Sequence, residues 1–134
     1  MKFATKIANS SNRDFYAKRI LDTIDHIDSE EKVDYIINAT RALCWDRISN
    51  DEYFRICAII RRCYYEDLIF VKNNYSEDKL FAKDIIVTEL EACGLMTLTI
   101  VGGGSIADTE PPKTHQFNQL AELLYKNSLA YEKD

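Results

Sequence analysis

Apolar side chains recur every three or four residues along most of the chain, and the rhythm changes only near its end. Over about 12–27, Phe15, Tyr16, Ile20, Ile24 and Ile27 mark one face of a helix, with Ser11 and Asp14 as a capping-box-like start. A second helix opens at Asp28 or Ser29, with Glu30 and Glu31 in the first turn, where the helix dipole favours anions. Val33, Ile36, Ile37, Thr40, Leu43 and Cys44 trace its apolar stripe, and Trp45 ends it. Ser49-Asn50-Asp51-Glu52 predicts a capping box for a third helix over about 51–64, with Tyr53, Ile56, Cys57, Ile60, Cys63 and Tyr64 inward. Phe54 and Ile59 widen that stripe, so this helix should be buried on two sides. A shorter fourth helix covers about 65–73 and ends at the polar break 73–76.

The last third reads differently. A fifth helix is predicted over about 78–93, with Leu80, Phe81, Ile85, Ile86, Leu90 and Cys93 inward and Gly94 as its stop. Residues 95–101 alternate and are rich in β-branched side chains, which predicts a strand. The Gly/Pro-rich stretch 102–112 is a loop by composition, 114–117 pairs back as a second strand, and Asn118 caps a closing helix carrying Leu120, Leu123, Leu124 and Tyr131. The fold expected is mainly α: a compact bundle of five to six helices closed by a C-terminal two-stranded β-hairpin. The whole of 1–134 is one domain by length, with 1–10 as a flexible arm.

Charge narrows the functional classes. The net charge of -5 argues against a protein that coats nucleic acid through its overall charge, without excluding a local basic patch. No apolar run reaches the roughly 20 residues that span a bilayer, and the N-terminal residues lack a signal-peptide core, so the reading is a cytoplasmic protein with no membrane partner. Cys44, Cys57, Cys63 and Cys93 form no metal-ligand spacing and fall on apolar stripes, as buried reduced thiols do.

Residues 89–96 (Glu-Leu-Glu-Ala-Cys-Gly-Leu-Met) and 115–124 (His-Gln-Phe-Asn-Gln-Leu-Ala-Glu-Leu-Leu) resemble the tail of winged-helix proteins, in which a recognition helix ends in Leu-x-x-x-Gly-Leu and a hairpin follows. Asn118 stands where that family has Thr, and Ala121 where it has Gly. The resemblance implies DNA binding through the fifth helix and wing, with Lys79, Lys83 and Lys113 as the contacts. Against it, a middle helix is missing, the fifth helix also carries Asp84, Glu89 and Glu91, and the wing sets Asp108 and Glu110 against Lys113 alone. The earlier segments, such as 22–25, 33–41 and 53–57, are similar in pattern to small helical proteins of bacteria and their prophages, which implies a mobile-element accessory protein and carries no catalytic residues.

Two further constellations compete for function. Asp22, Asp25, Asp28, Glu30, Glu31 and Asp34 crowd the junction of the first two helices, facing only Lys32 and His26. They read as a docking face for a basic partner or as an ordinary solvated helix start. Lys18, Arg19, Arg41, Arg47, Arg55, Arg61 and Arg62, with Tyr64 and Tyr65, read as a single-strand nucleic-acid stripe or as local ion pairs. The glycines 102–104 lack the Lys-Ser/Thr of a phosphate loop. Neither His26 nor His115 has a nucleophile at informative spacing, so no enzyme activity and no cofactor or metal are expected. The favoured reading is a non-catalytic protein-binding module, a modulator of a host process that occludes a basic surface. Its binding residues are Asp22, Asp25, Asp28 and Glu31 with the hairpin tip Gly103, Ser105, Asp108 and Glu110. The alternative is a winged-helix-like DNA-binding regulator. Tyr16, Trp45 or Tyr65 would equally serve a homodimer interface.

Overall fold

A computed structural model of the chain describes residues 13–25, 27–99 and 112–131. The elements are α1 (Arg13–Asp25), α2 (Glu30–Cys44), α3 (Asn50–Arg62), α4 (Tyr65–Asn74), β1 (Phe81–Ala82), α5 (Ile85–Ala92), β2 (Met96–Leu98), β3 (Lys113–Phe117) and α6 (Gln119–Leu124). The last helix continues as a π-helical turn, Tyr125–Leu129. The architecture is therefore mainly helical, with a small three-stranded antiparallel sheet in the order β1-β3-β2.

The core forms where α2 lies against α3 and against the π turn. Ile36, Ala39 and Leu43 from α2 meet Tyr53, Ile56, Ile59 and Ile60 from α3, all buried. Ile59 is buried along with the main stripe, as the widened pattern of α3 predicts. The start of α3 is a complete capping box: the Glu52 amide donates to Ser49 Oγ at 3.1 Å, and the Ser49 amide donates to Glu52 Oε1 at 2.8 Å. At the other end, the wider π turn brings Ser128 onto α2. Ser128 Oγ donates to the Tyr35 carbonyl at 2.8 Å, and Asn38 Nδ2 donates to the Ser128 carbonyl at 2.8 Å.

The predicted fifth helix is the main correction. Residues 78–84 are not helical; Phe81 and Ala82 instead form a strand against His115 and Lys113 of β3. The helix begins only after Asp84, whose side chain accepts from the Val87 amide at 2.8 Å and caps it. Phe81 is held as a strand residue by its rings: its centroid lies 5.7 Å from Phe70 and 5.2 Å from Phe117. The shifted start also turns Ile85 outward, 83% exposed, while Val87 is buried with Leu90. In place of the expected two-stranded hairpin, β2 and β3 pair antiparallel within a three-stranded sheet that also includes β1.

Gly94 ends α5 at φ +84, a conformation that favours glycine. The Leu95 amide then bonds the Leu90 carbonyl at 2.9 Å and the chain turns into β2. Two smaller corrections concern α1 and α3. Helix α1 ends at Asp25, short of Ile27, and Tyr64 is exposed because α3 stops at Arg62 and Cys63 is already extended. The 1–10 arm and the Ser11 start of the first helix lie outside the described residues.

Candidate functional site

Helix α2 separates its charges onto two faces. Ser29 precedes it in an extended conformation, and Glu30 and Glu31 occupy its first turn. Inward, Lys32, Tyr35, Ile36, Ala39 and Leu43 are buried. Outward, Glu30, Asp34, Ile37, Arg41 and Trp45 follow one another at steps of three or four residues and share one line along the helix. Glu30 and Asp34 are exposed, and beyond them Ile37 is 43% and Trp45 66% exposed. Sequence periodicity assigned Ile37 inward. The tertiary packing turns it out, because Tyr35 and Ala39 fill the inner face instead.

The acidic junction is divided by this arrangement. Asp28 Oδ1 lies 2.8 Å from Lys32 Nζ, and that ammonium donates to the Cys63 carbonyl at 2.5 Å. The bond with Lys32 holds the Asp28 carboxyl below its ordinary value of 3.8. Lys32 is fully buried, so its charge sits at the C-terminal end of α3, where the helix dipole favours a cation, and not on the surface. Asp22 reaches Arg61 on α3 at 3.4 Å. Asp25 and Glu31 are exposed. The junction is therefore half structural clamp and half solvent-facing acid, and the acids that continue along α2 are Glu30, Glu31 and Asp34.

Several side chains near the clamp are buried or half-buried. Burial and the neighbouring Cys93 push the Cys63 thiol well up, away from the reactive thiolate. Burial, and then Glu89, raise the Asp67 carboxyl above its ordinary 3.8. Ser29 Oγ is buried and makes no hydrogen bond among the described residues. Cys44, Cys57 and Cys63 are buried free thiols, and Cys93 is half-buried. No group of three metal-ligating side chains occurs among the described residues.

His115 is placed differently from a surface residue. It is buried, with Nε2 2.7 Å from Glu91 Oε2 on α5 and Nδ1 2.9 Å from Thr114 Oγ1. The imidazole uses both ring nitrogens internally, which ties α5 to β3 and leaves no nitrogen turned to a substrate. A separate cleft of about 500 Å³ lies between the start of α3 and α6. Its walls carry the ion pairs Asp51–Arg55 at 2.7 Å and Glu122–Lys126 at 2.5 Å, with Leu120 and Leu123 between them. Glu52, also in its wall, accepts from the Ser49 amide.

Several of the basic candidates have partners within the molecule. The Arg19 guanidinium lies 3.9 Å from the Phe54 ring centre, Arg47 lies over Tyr131 at 5.0 Å, and Arg55 and Arg61 pair with acids. Tyr65 stacks on Tyr35, and burial raises the Tyr35 hydroxyl to about 12. Lys79 and Lys83 precede α5 and are not on it, since that helix starts at Ile85. Lys79 lies over the Phe81 ring at 5.0 Å, while the Ala82–Lys113 pairing brings Lys83 and Lys113 to one corner of the sheet. Gly103, Ser105, Asp108 and Glu110, expected at a hairpin tip, and His26 lie outside the described residues.

No helix among the described residues is long and apolar enough to cross a membrane. Comparison with family models, curated proteins and solved structures finds no match for this chain.

Proposed function

We propose that the protein is a non-catalytic binding module that docks the outward face of α2 onto a basic protein surface and occludes it. The observation that carries this reading is the line Glu30, Asp34, Ile37, Arg41, Trp45: acids at one end, and two exposed large apolar side chains, on either side of Arg41, continuing the same stripe. Binding energy at interfaces concentrates in a few aromatic or apolar anchors, while charge mainly speeds encounter and selects partners. Trp45 and Ile37 would be the anchors, and Glu30, Glu31 and Asp34 the steering charges. Burial of Lys32 supports the same reading, because it withdraws the nearest cation from this surface. A mobile-element accessory protein that blocks a host surface would have use for such a face.

The test is a pull-down from host lysate with wild type, Trp45→Ala and Glu30→Lys/Asp34→Lys, each with and without nuclease. A protein captured by wild type in near-equal amounts, resistant to nuclease and lost from both variants, supports the reading. Equal capture by all three, or capture that nuclease abolishes, overturns it.

One observation favours a second reading, a winged-helix-like DNA binder: α5 runs through Gly94 into the antiparallel β2–β3 pair. The exposed positions of α5 weigh against it, since Ile85, Thr88, Glu89 and Ala92 offer no cation to phosphate. If DNA were nevertheless the ligand, the Lys83→Glu/Lys113→Glu variant would lose it and Trp45→Ala would not.

A further inference from the structure

Helix α1 also has two faces, and among the described residues only one of them packs on the core. Ile20 packs on the core, Thr23 is buried, and Arg19 and Asp22 brace the helix on Phe54 and Arg61 of α3. On the other side, Ala17, Leu21 and Ile24 recur at steps of four and three, with Leu21 60% and Ile24 43% exposed. Lys18 and Asp25 border this stripe. They are exposed, seven residues apart on the same side of it, and opposite in sign.

We infer that this stripe is the interface of a homodimer in which two copies of α1 pack antiparallel about a two-fold axis. The charges select this occupant and this orientation. With the axis midway between Leu21 and Ile24, each Leu21 meets Ile24 of the second copy, and Lys18 of each copy comes opposite the end of the helix that carries Asp25. The remaining offset is two residues, about 3 Å along the axis at the helical rise per residue, within the reach of a lysine. The two-fold produces the Lys18–Asp25 pair twice. A parallel two-fold pairing would instead carry this charged border to opposite sides of the contact in the two copies and form neither pair. The antiparallel arrangement is thus self-complementary, as an isologous contact must be. Two helices of 13 residues give a small contact, so the dimer is weak and depends on salt.

The inference does not rest on the docking role of α2, since Glu30, Asp34, Ile37 and Trp45 stay outside the contact. Sedimentation equilibrium on the full chain at low salt tests it. Wild type is expected to show a monomer–dimer equilibrium that weakens as salt is raised. Lys18→Asp alone and Asp25→Lys alone should each raise the dimer dissociation constant at least tenfold, because each replaces both ion pairs with like charges. Mixing the two single variants should restore association as a heterodimer, and the double variant Lys18→Asp/Asp25→Lys should restore the homodimer. Circular dichroism of each variant checks that these surface changes leave the fold intact. A wild type that stays monomeric throughout, single variants that dimerise as wild type does, or no rescue on mixing, overturns the inference. So does a dimer that Trp45→Ala dissolves, which would move the contact to α2.

Discussion

Lys32 and Asp34 stand two residues apart on α2, yet they meet opposite surroundings. Lys32 lies wholly inside the molecule, bonded to Asp28 and to the Cys63 carbonyl just past the end of α3, whereas Asp34 stands in solvent in line with Ile37 and Trp45. The inner face joins elements that are distant in sequence and contributes to stability. The outer face makes no comparable internal contacts, so its side chains are free to be chosen for recognition. A charge on a helix is therefore uninformative about role until its face is known.

The largest test of this contrast is Lys32→Ala. It removes a packed stem and leaves the Cys63 carbonyl without its partner, which should lower unfolding stability by about 2–4 kcal/mol, read by urea denaturation. Lys32→Met keeps the stem and should lose less. A change under about 0.5 kcal/mol in the alanine variant, the range of ordinary surface substitutions, would mean that the junction is no clamp.

Next comes Ser128→Ala, which removes the hydroxyl bond tying the π turn to the Tyr35 carbonyl on the inner side of α2 and should cost about 0.5–1.5 kcal/mol. The Asp67→Asn variant gives a smaller, pH-dependent signature. Burial raises the Asp67 carboxyl, so the fold favours its neutral form. That contribution is present below the ordinary value of 3.8 and lost as pH rises through the raised one. The asparagine variant, neutral throughout, should therefore gain on wild type as pH rises through that interval. Melting temperatures across that range would read it, and a gain in the opposite direction would place Asp67 in a stabilising ion pair. The smallest effect on stability belongs to the outer face. Ile37→Ala with Trp45→Ala should change it by about 0.5 kcal/mol or less while abolishing capture of a protein partner. A large loss of stability would return those residues to the core.

Much of this organisation was legible in advance. The stripe of α3, its Ser49–Glu52 capping box, the Asn118 cap on α6 and the Gly94 stop all appear where local spacing puts them. The candidate site was legible only in part. The acids at the α1–α2 junction were evident as a cluster, and Trp45 as an aromatic suited to an interface, but Asp22 and Asp28 turned out to have partners on or through α3, and Ile37, expected inward, is exposed.

What the amino-acid order settles by itself is whatever depends on neighbours within a turn or two: helix periodicity, caps and stops, and the change from helix to strand near Gly94. The tertiary structure decided the rest. Lys32 finds Cys63 across 31 positions and His115 finds Glu91 across 24, so no local pattern announces either bond. Phe81 belongs to a strand because Phe70 and Phe117 close on it from two sides, which overrides an apolar spacing that suits a helix equally well. Local interactions are encoded in spacing. Burial, and with it the role of each charge, follows from contacts that exist only once the chain has closed on itself.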